Sequence, residues 1–427
     1  MSNRTLTIVV VLIFIAAAIG LFFYYESRVS SLSQSTDATK GGFGFGTFFP
    51  FGQTDTPSSP QGNGSVSTPT PSGSASPLKH LVVEPIAGFM SFEQNGVAMV
   101  RYAERATAHT QDIDLTGTRE PLRVSNTTIP KIYRASWLGS STTVALQYLD
   151  TSTENIVTYL AKILPGNGSG AGRLQGSFLP QNTLAVVASP TNTKMAYLFP
   201  DGNGVHLMSA AVDGTKAVEI FSSPLNEWLL SWPATDTIAL ATRPSATVAG
   251  ALYFLNVNVR TLTSVLGDIP GLTALPSPKL TKVLVSQGGS EHLLTIFDVK
   301  KKTNIAVPLW TLAEKCVWSR SRDSVLWCAT PFDIEDSSLP DSWYQGVTSF
   351  ADNIVEINAE TGKVTLIEAL IGETGESLDA MGLMPTPDEK QLLFINKNDS
   401  TLWSLRLTTD PSTLLRTGNQ QSATSTP

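Results

Sequence analysis

Two glutamates, two cysteines and one acidic loop are the residues whose types and spacing could do chemistry. Glu227 and Glu314 each stand five residues before a recurring turn, at Trp232 and Ser319. If those turns end innermost strands, both carboxylates face a central channel, where such a pair could perform acid/base work on a glycoside. Arg134 and Lys315 could instead neutralise them, leaving a solvated channel lining. The segment PFDIEDSSLPDSWYQGVTSF, residues 331–350, offers Asp333, Glu335, Asp336 and Asp341 beside Trp343 and Tyr344. Such a set suits a cationic partner, a sugar face or calcium. Its acids lack the regular alternate spacing of a calcium loop, and an acidic solvated loop is the plainer account. Cys316 and Cys328 flank one turn symmetrically, so a hairpin with Val317 opposite Trp327 sets them face to face. Outside the cytoplasm they could oxidise; otherwise they pack as thiols beside Trp318 and Trp327.

Other chemistries find no footing. His80, His109, His206 and His292 are scattered and the chain has 2 Cys, so no zinc spacing arises and no metal site is expected. Gly166-Asn167-Gly168-Ser169-Gly170 has no Lys-Ser or Lys-Thr after it and reads as a turn, not a phosphate loop. Gly288-Gly289-Ser290-Glu291-His292 reads as a hairpin tip, and no G-x-S-x-G elbow occurs. No cofactor is implied. With 29 basic against 36 acidic side chains, the chain lacks the basic face that would exchange counterions for phosphates, and nucleic acid is excluded as a partner.

The elements that must position these residues follow from composition and repetition. Charged residues make up 15% of the 427, well under the usual quarter, while 32 Gly and 26 Pro point to an all-β chain rich in turns. An apolar strand, a small or Pro-containing corner, four turn residues and a second apolar strand recur seven times. The corners are Ser91-Phe92, Leu138-Gly139, Ser189-Pro190, Trp232-Pro233, Ser277-Pro278, Ser319-Arg320 and Thr386-Pro387. Their spacing runs from 42 to 51 residues, with one interval of 67 that contains the 331–350 insertion; this is the length of a four-stranded propeller blade. Second hairpins follow, as in MSAAVDGTKAVEI from Met208 and EINAETGKVTLIE from Glu356, with glycine at the tip to accept positive φ. One four-stranded sheet cannot cover both of its faces, so neighbours must stack, and a ring lets every blade bury both. The reading is an all-β, seven-bladed β-propeller, with six or eight blades as the margin.

The corners Ser189-Pro190, Ser277-Pro278 and Thr386-Pro387-Asp388 resemble the Ser-Pro-Asp-Gly corners of TolB-like propellers. The turn at 359–363 is similar to those of WD-repeat-like blades. The resemblance covers residues 80 to about 408 and implies the propeller fold; the full tetrad is absent from every copy, and no activity is carried over with it. The ring is expected to close by Leu81-Val82-Val83-Glu84 joining the last blade beside Asp379 to Met384, Gln391 to Asn396 and Thr401 to Leu407. Alternatively, that blade supplies its own outer strand from Ser412 to Arg416.

Residues 1–28 read as a signal anchor, because Leu6 to Tyr25 is a run of twenty residues without a charge, long enough as a helix to span about 30 Å. Arg4 sets the N-terminus on the cytoplasmic side. Residues 29–78 form a Gly/Ser/Thr/Pro linker with an aromatic island at 41–52, where Phe43, Phe45, Phe48, Phe49 and Phe51 could dock a partner or simply collapse. Residues 79–408 make the propeller and 409–427 a polar tail. The leading expectation is a single-pass, membrane-anchored extracytoplasmic propeller that binds another envelope protein or a wall polymer as a scaffold and is not an enzyme. The alternative is a carbohydrate-active propeller enzyme using channel carboxylates.

Overall fold

The computed structural model describes residues 76–407 apart from 118, 140, 167–169, 290, 291, 335 and 337. Those residues form twenty-eight strands in seven four-stranded sheets, each an antiparallel meander. The innermost strands of blades I to VII are Ile86–Gln94, Ile132–Leu138, Ala185–Ala188, Trp228–Ala234, Thr273–Pro276, Cys316–Trp318 and Ala380–Pro385. Ile86–Gln94 touches both Ile132–Leu138 and Ala380–Pro385, and Ala185–Ala188 touches both Ile132–Leu138 and Trp228–Ala234, as neighbours about an axis do.

Second strands explain why the sheets stack. In Thr143–Asp150 and Lys194–Asp201 four or five consecutive residues are buried, and no polar face alternates in. A strand covered on both faces reads as a continuous apolar run. The interfaces between blades are accordingly the cores. Trp327, Phe394 and Trp403 fill the one between blades VI and VII, and Leu284, Trp318, Leu326 and Ile357 the one between V and VI.

The Ser and Thr of the corners have a stated job. Ser189, Ser277 and Thr386 each accept, on the side-chain oxygen, the backbone N–H five residues on, at 3.1 Å in all three. Each also donates its own N–H back to that residue's carbonyl, at 2.8–2.9 Å. The hydroxyl therefore satisfies a turn N–H that the hairpin leaves over. The turn forces a left-handed residue within it, Asn192 at φ 58, Leu280 at φ 56 and Glu389 at φ 53.

Ring closure uses the N-terminal strand Leu78–Val82, which pairs antiparallel with Leu402–Arg406 of blade VII. It starts three residues earlier than the sequence indicates. Leu78 lies opposite Leu405, and His80 stacks on Trp403 with ring centroids 4.1 Å apart. Ser412 to Arg416 lies outside the described residues.

The expectation of an N-terminal transmembrane helix is corrected. Among the described residues no helix is long and apolar enough to cross a membrane. The two α-helices among them, Asp341–Tyr344 and Leu370–Thr374, have 4 and 5 residues, whereas a span at about 1.5 Å per residue needs about 20. Leu6 to Tyr25, on which the expectation was built, lies outside the described residues. The membrane as partner, the single-pass extracytoplasmic localisation and the membrane-anchored scaffold are withdrawn with it.

Candidate functional site

Every innermost strand runs toward its corner, so the strand starts gather at the opposite end of the channel. The loops joining second to third strands lie at that same end. The 331–350 insertion is one of them, linking Val325–Pro331 to Asp352–Asn358. It folds on itself first: Asp336 accepts the Ser338 N–H at 2.8 Å, the Ser338 hydroxyl at 2.5 Å and the Thr348 hydroxyl at 2.7 Å. These bonds, led by Ser338, hold the Asp336 carboxyl well below the usual range. The segment then seats on blades IV and V. The Ala246 N–H donates to Asp341 Oδ2 at 2.5 Å and the Gly289 N–H to the Leu339 carbonyl at 2.9 Å. Gly288 permits the approach, because a Cβ there would stand 2.5 Å from the Leu339 oxygen. Trp310, Leu312, Leu339, Trp343 and Phe350 form a small apolar core beneath it.

Under that core lies a buried ionic network, joined at its edge by the partly exposed Lys397, 3.9 Å from Asp379 Oδ2. Lys315, with no exposed side-chain surface, places Nζ 2.8 Å from Asp352 Oδ2 and against Asp379 Oδ1. Asp379 Oδ2 accepts the Trp343 indole N–H at 2.9 Å and the Phe350 N–H at 3.1 Å. Asp352 also accepts the Ala380 N–H at 2.7 Å. One lysine thus ties the insertion to blades VI and VII. Burial pushes the Asp352 carboxyl up to about 6, aided by the Asp379 charge and opposed by Lys315. A folded carboxyl raised above its unfolded value of about 3.9 keeps its proton where the unfolded chain has lost it. Its contribution to stability therefore falls as pH rises from about 4 to about 6. Denaturation midpoints measured across that window are expected to carry this slope in the native protein and to lose it in Asp352→Asn.

Glu314 and Lys315 are adjacent and point apart. Lys315 enters the blade interface, whereas Glu314 keeps surface open to water yet is enclosed by protein atoms, as a channel-lining group is. Burial pushes its carboxyl up, against the hydrogen bond from Tyr344 and the charges of Lys315 and Arg134. The Tyr344 hydroxyl donates to Glu314 Oε1. Burial, then the Glu314 charge, drive the phenol far above its ordinary range, while Arg243 pulls the other way. Arg243 Nη1 in turn lies 3.2 Å from Glu227 Oε1, both side chains being more than half exposed.

Of the residues from blades II, IV and VI, Glu227 pairs with Arg243, Glu314 accepts from Tyr344, and Arg134 acts on Glu314 through its charge. Arg243 and the Lys315–Asp352–Asp379 network were not singled out by sequence reasoning, although a lysine between Ala313 and Cys316 in an apolar stretch is a signal of a buried charge. The proposed acidic and aromatic contact surface does not form as one face: Trp343 is buried, Tyr344 faces the channel, and Asp336 and Asp341 hold the loop together. Asp333 is exposed and accepts the Ile334 N–H at 2.8 Å. Glu335, and Phe43, Phe45, Phe48, Phe49 and Phe51, lie outside the described residues. Cys316 and Cys328 are paired in register and joined by a disulfide, their Cα atoms 4.0 Å apart. Among the described residues, no group of three or more His, Cys, Asp and Glu is placed to hold a metal ion.

No protein-family model matches the chain, and no curated protein does. Solved structures do. A puromycin-hydrolysing peptidase of Mycobacterium tuberculosis is similar at 12% identity and a TM-score of 0.48, over 74% of this chain and 52% of its own. The chain therefore spans about half the length of that peptidase. An oligogalacturonate lyase of Vibrio parahaemolyticus is similar at 9% identity and 0.46, over 76% and 98%, and TolB of Acinetobacter baumannii at 10% and 0.40, over 74% and 78%. These likenesses concern the fold alone.

Proposed function

We propose that the protein is a carbohydrate-active enzyme whose reaction centre is the channel mouth beneath the insertion, with Glu314 as proton donor and Glu227 as the second carboxylate. The observation that carries this reading is the unequal setting of the two groups. Both groups keep surface open to water, but Glu314 is shifted toward its neutral form and held by Tyr344, while Glu227 is paired with Arg243. Two carboxyls whose surroundings differ in this way are suited to acid and base roles. A glycosidic oxygen needs a proton as its bond breaks. With Oε1 occupied by the Tyr344 hydroxyl, Oε2 of Glu314 is the oxygen left to carry one. Glu227 can orient a water or face developing positive charge on the sugar. Tyr344 donates to Glu314 and Arg243 pairs with Glu227, so each carboxyl has its own partner.

The test is release of reducing ends from a panel of polysaccharides, alongside turnover of aryl glycosides. Glu314→Gln is expected to lower turnover of the polysaccharide by about 10²–10⁴-fold, and far less with an acidic phenol as leaving group, which departs unprotonated. Glu227→Gln is expected to slow both. Activity of the native protein falls as pH rises through the elevated Glu314 value, since the working form is protonated. Turnover of no member of the panel, or equal turnover by Glu314→Gln on all of them, would overturn the reading.

A further inference from the structure

The opposite end of the channel, ringed by the blade corners, carries an unused set of donors. A cavity of about 380 Å³ opens there, walled by Met90, Leu138 and Met384 and by the Trp137 ring. Its size is that of a small-molecule site, which runs from about 300 Å³ upward. Ser91 lines it at 7% exposure, and its Oγ has no hydrogen-bond partner among the described residues. The Ser91 N–H is already spent on Met384 Sδ at 3.2 Å. The Trp137 indole nitrogen is likewise buried without a partner. A buried polar atom left unpaired is costly, and two on residues that line one cavity are the mark of a missing ligand or water.

The third donor is Arg320. It occupies the corner position where four of the seven copies have proline, so the turn itself has no need of a long cation. Its backbone is pinned: Glu389 of blade VII accepts the N–H groups of Arg320 and Ser321 at 2.5 and 3.2 Å and the Ser319 hydroxyl at 2.8 Å. That carboxylate is thereby used by the corner, and the Arg320 guanidinium makes no ion pair among the described residues. Among the described residues, no acidic side chain lines the cavity.

We propose that this corner end is a second binding site, independent of the mouth around Glu314, and that it takes a small monocarboxylate with an apolar body. An indole N–H can only donate, and a guanidinium can only donate, so the ligand must bring acceptors and negative charge. Methionine walls adapt to an apolar chain of irregular shape. The carboxylate would lie against Arg320 with Ser91 and Trp137 as further donors, and the body among Met90, Leu138 and Met384.

Octanoate is the probe, with octanol and acetate as its two controls, read by the indole N–H resonance that Trp137→Phe removes. Octanoate is expected to shift that resonance saturably in the full chain, with octanol and acetate each at least about tenfold weaker. Arg320→Gln, at an exposed corner that Glu389 holds by backbone and serine contacts, is expected to weaken octanoate to a similar degree, and Glu314→Gln to leave it unchanged. Equal binding of octanoate and octanol, equal binding to Arg320→Gln, or no saturable shift would overturn the assignment.

Discussion

Replacing Lys315 by methionine is expected to lower the stability of the propeller by about 3–5 kcal/mol. The side chain is fully buried and neutralises two carboxylates, Asp352 and Asp379, that also have no exposed surface. Methionine fills nearly the same volume, so little packing is lost; what remains is two buried acidic groups facing each other, with the partly exposed Lys397, 3.9 Å from Asp379 Oδ2, as the cation left beside them. Asp379 also holds Trp343 and Phe350, which means that the insertion loosens together with the joint between blades VI and VII. Urea denaturation of the two proteins side by side checks the size of the effect. Adding Asp352→Asn and Asp379→Asn to the methionine variant is expected to recover part of the loss, because amides remove the stranded charge. A change below about 1 kcal/mol for the single variant would show that the network is dispensable.

Deleting residues 78–82 is expected to have an effect of comparable size by a different route. The strand they form is the last partner of Leu402–Arg406, and without it that edge is left with unpaired backbone groups. Leu78 and Val82 are 6% and 5% exposed, and burial of each such side chain contributes about 1.5–3 kcal/mol. The deletion also strips His80 from the face of Trp403. Amide hydrogen exchange in 402–406 is expected to rise from core-like to fast, with a lower denaturation midpoint for the whole ring. A synthetic peptide spanning the missing strand is expected to restore protection when added in excess. Unchanged protection of those amides in the deletion would mean that the ring closes by some other pairing.

Much of this architecture was legible in the chain because it is local and repeated. The Ser and Thr at 189, 277 and 386 cap their own turns within five residues, so each corner is written in a short window, and seven such windows at blade-length intervals specify the ring. The facing of Cys316 and Cys328 is legible for the same reason, since a hairpin's register follows from its turn.

The partners of Glu227 and Glu314 are not legible in this way. Arg243, at the end of a second strand in blade IV, and Tyr344, on a four-residue helix in blade VI, meet only because the ring curves their blades toward one mouth. The direction of Trp343 is not legible for a related reason: beside acidic residues it reads as a surface aromatic, and only Asp379, thirty-six positions away, gives its indole a buried acceptor. The chain by itself determined the strands, the corners and the number of blades, because those depend on alternation, turn chemistry and the need of each thin sheet for two neighbours. Only the tertiary structure decided which charges are sealed and which face water, because burial and electrostatic neighbourhood depend on separations in space that chain distance does not encode.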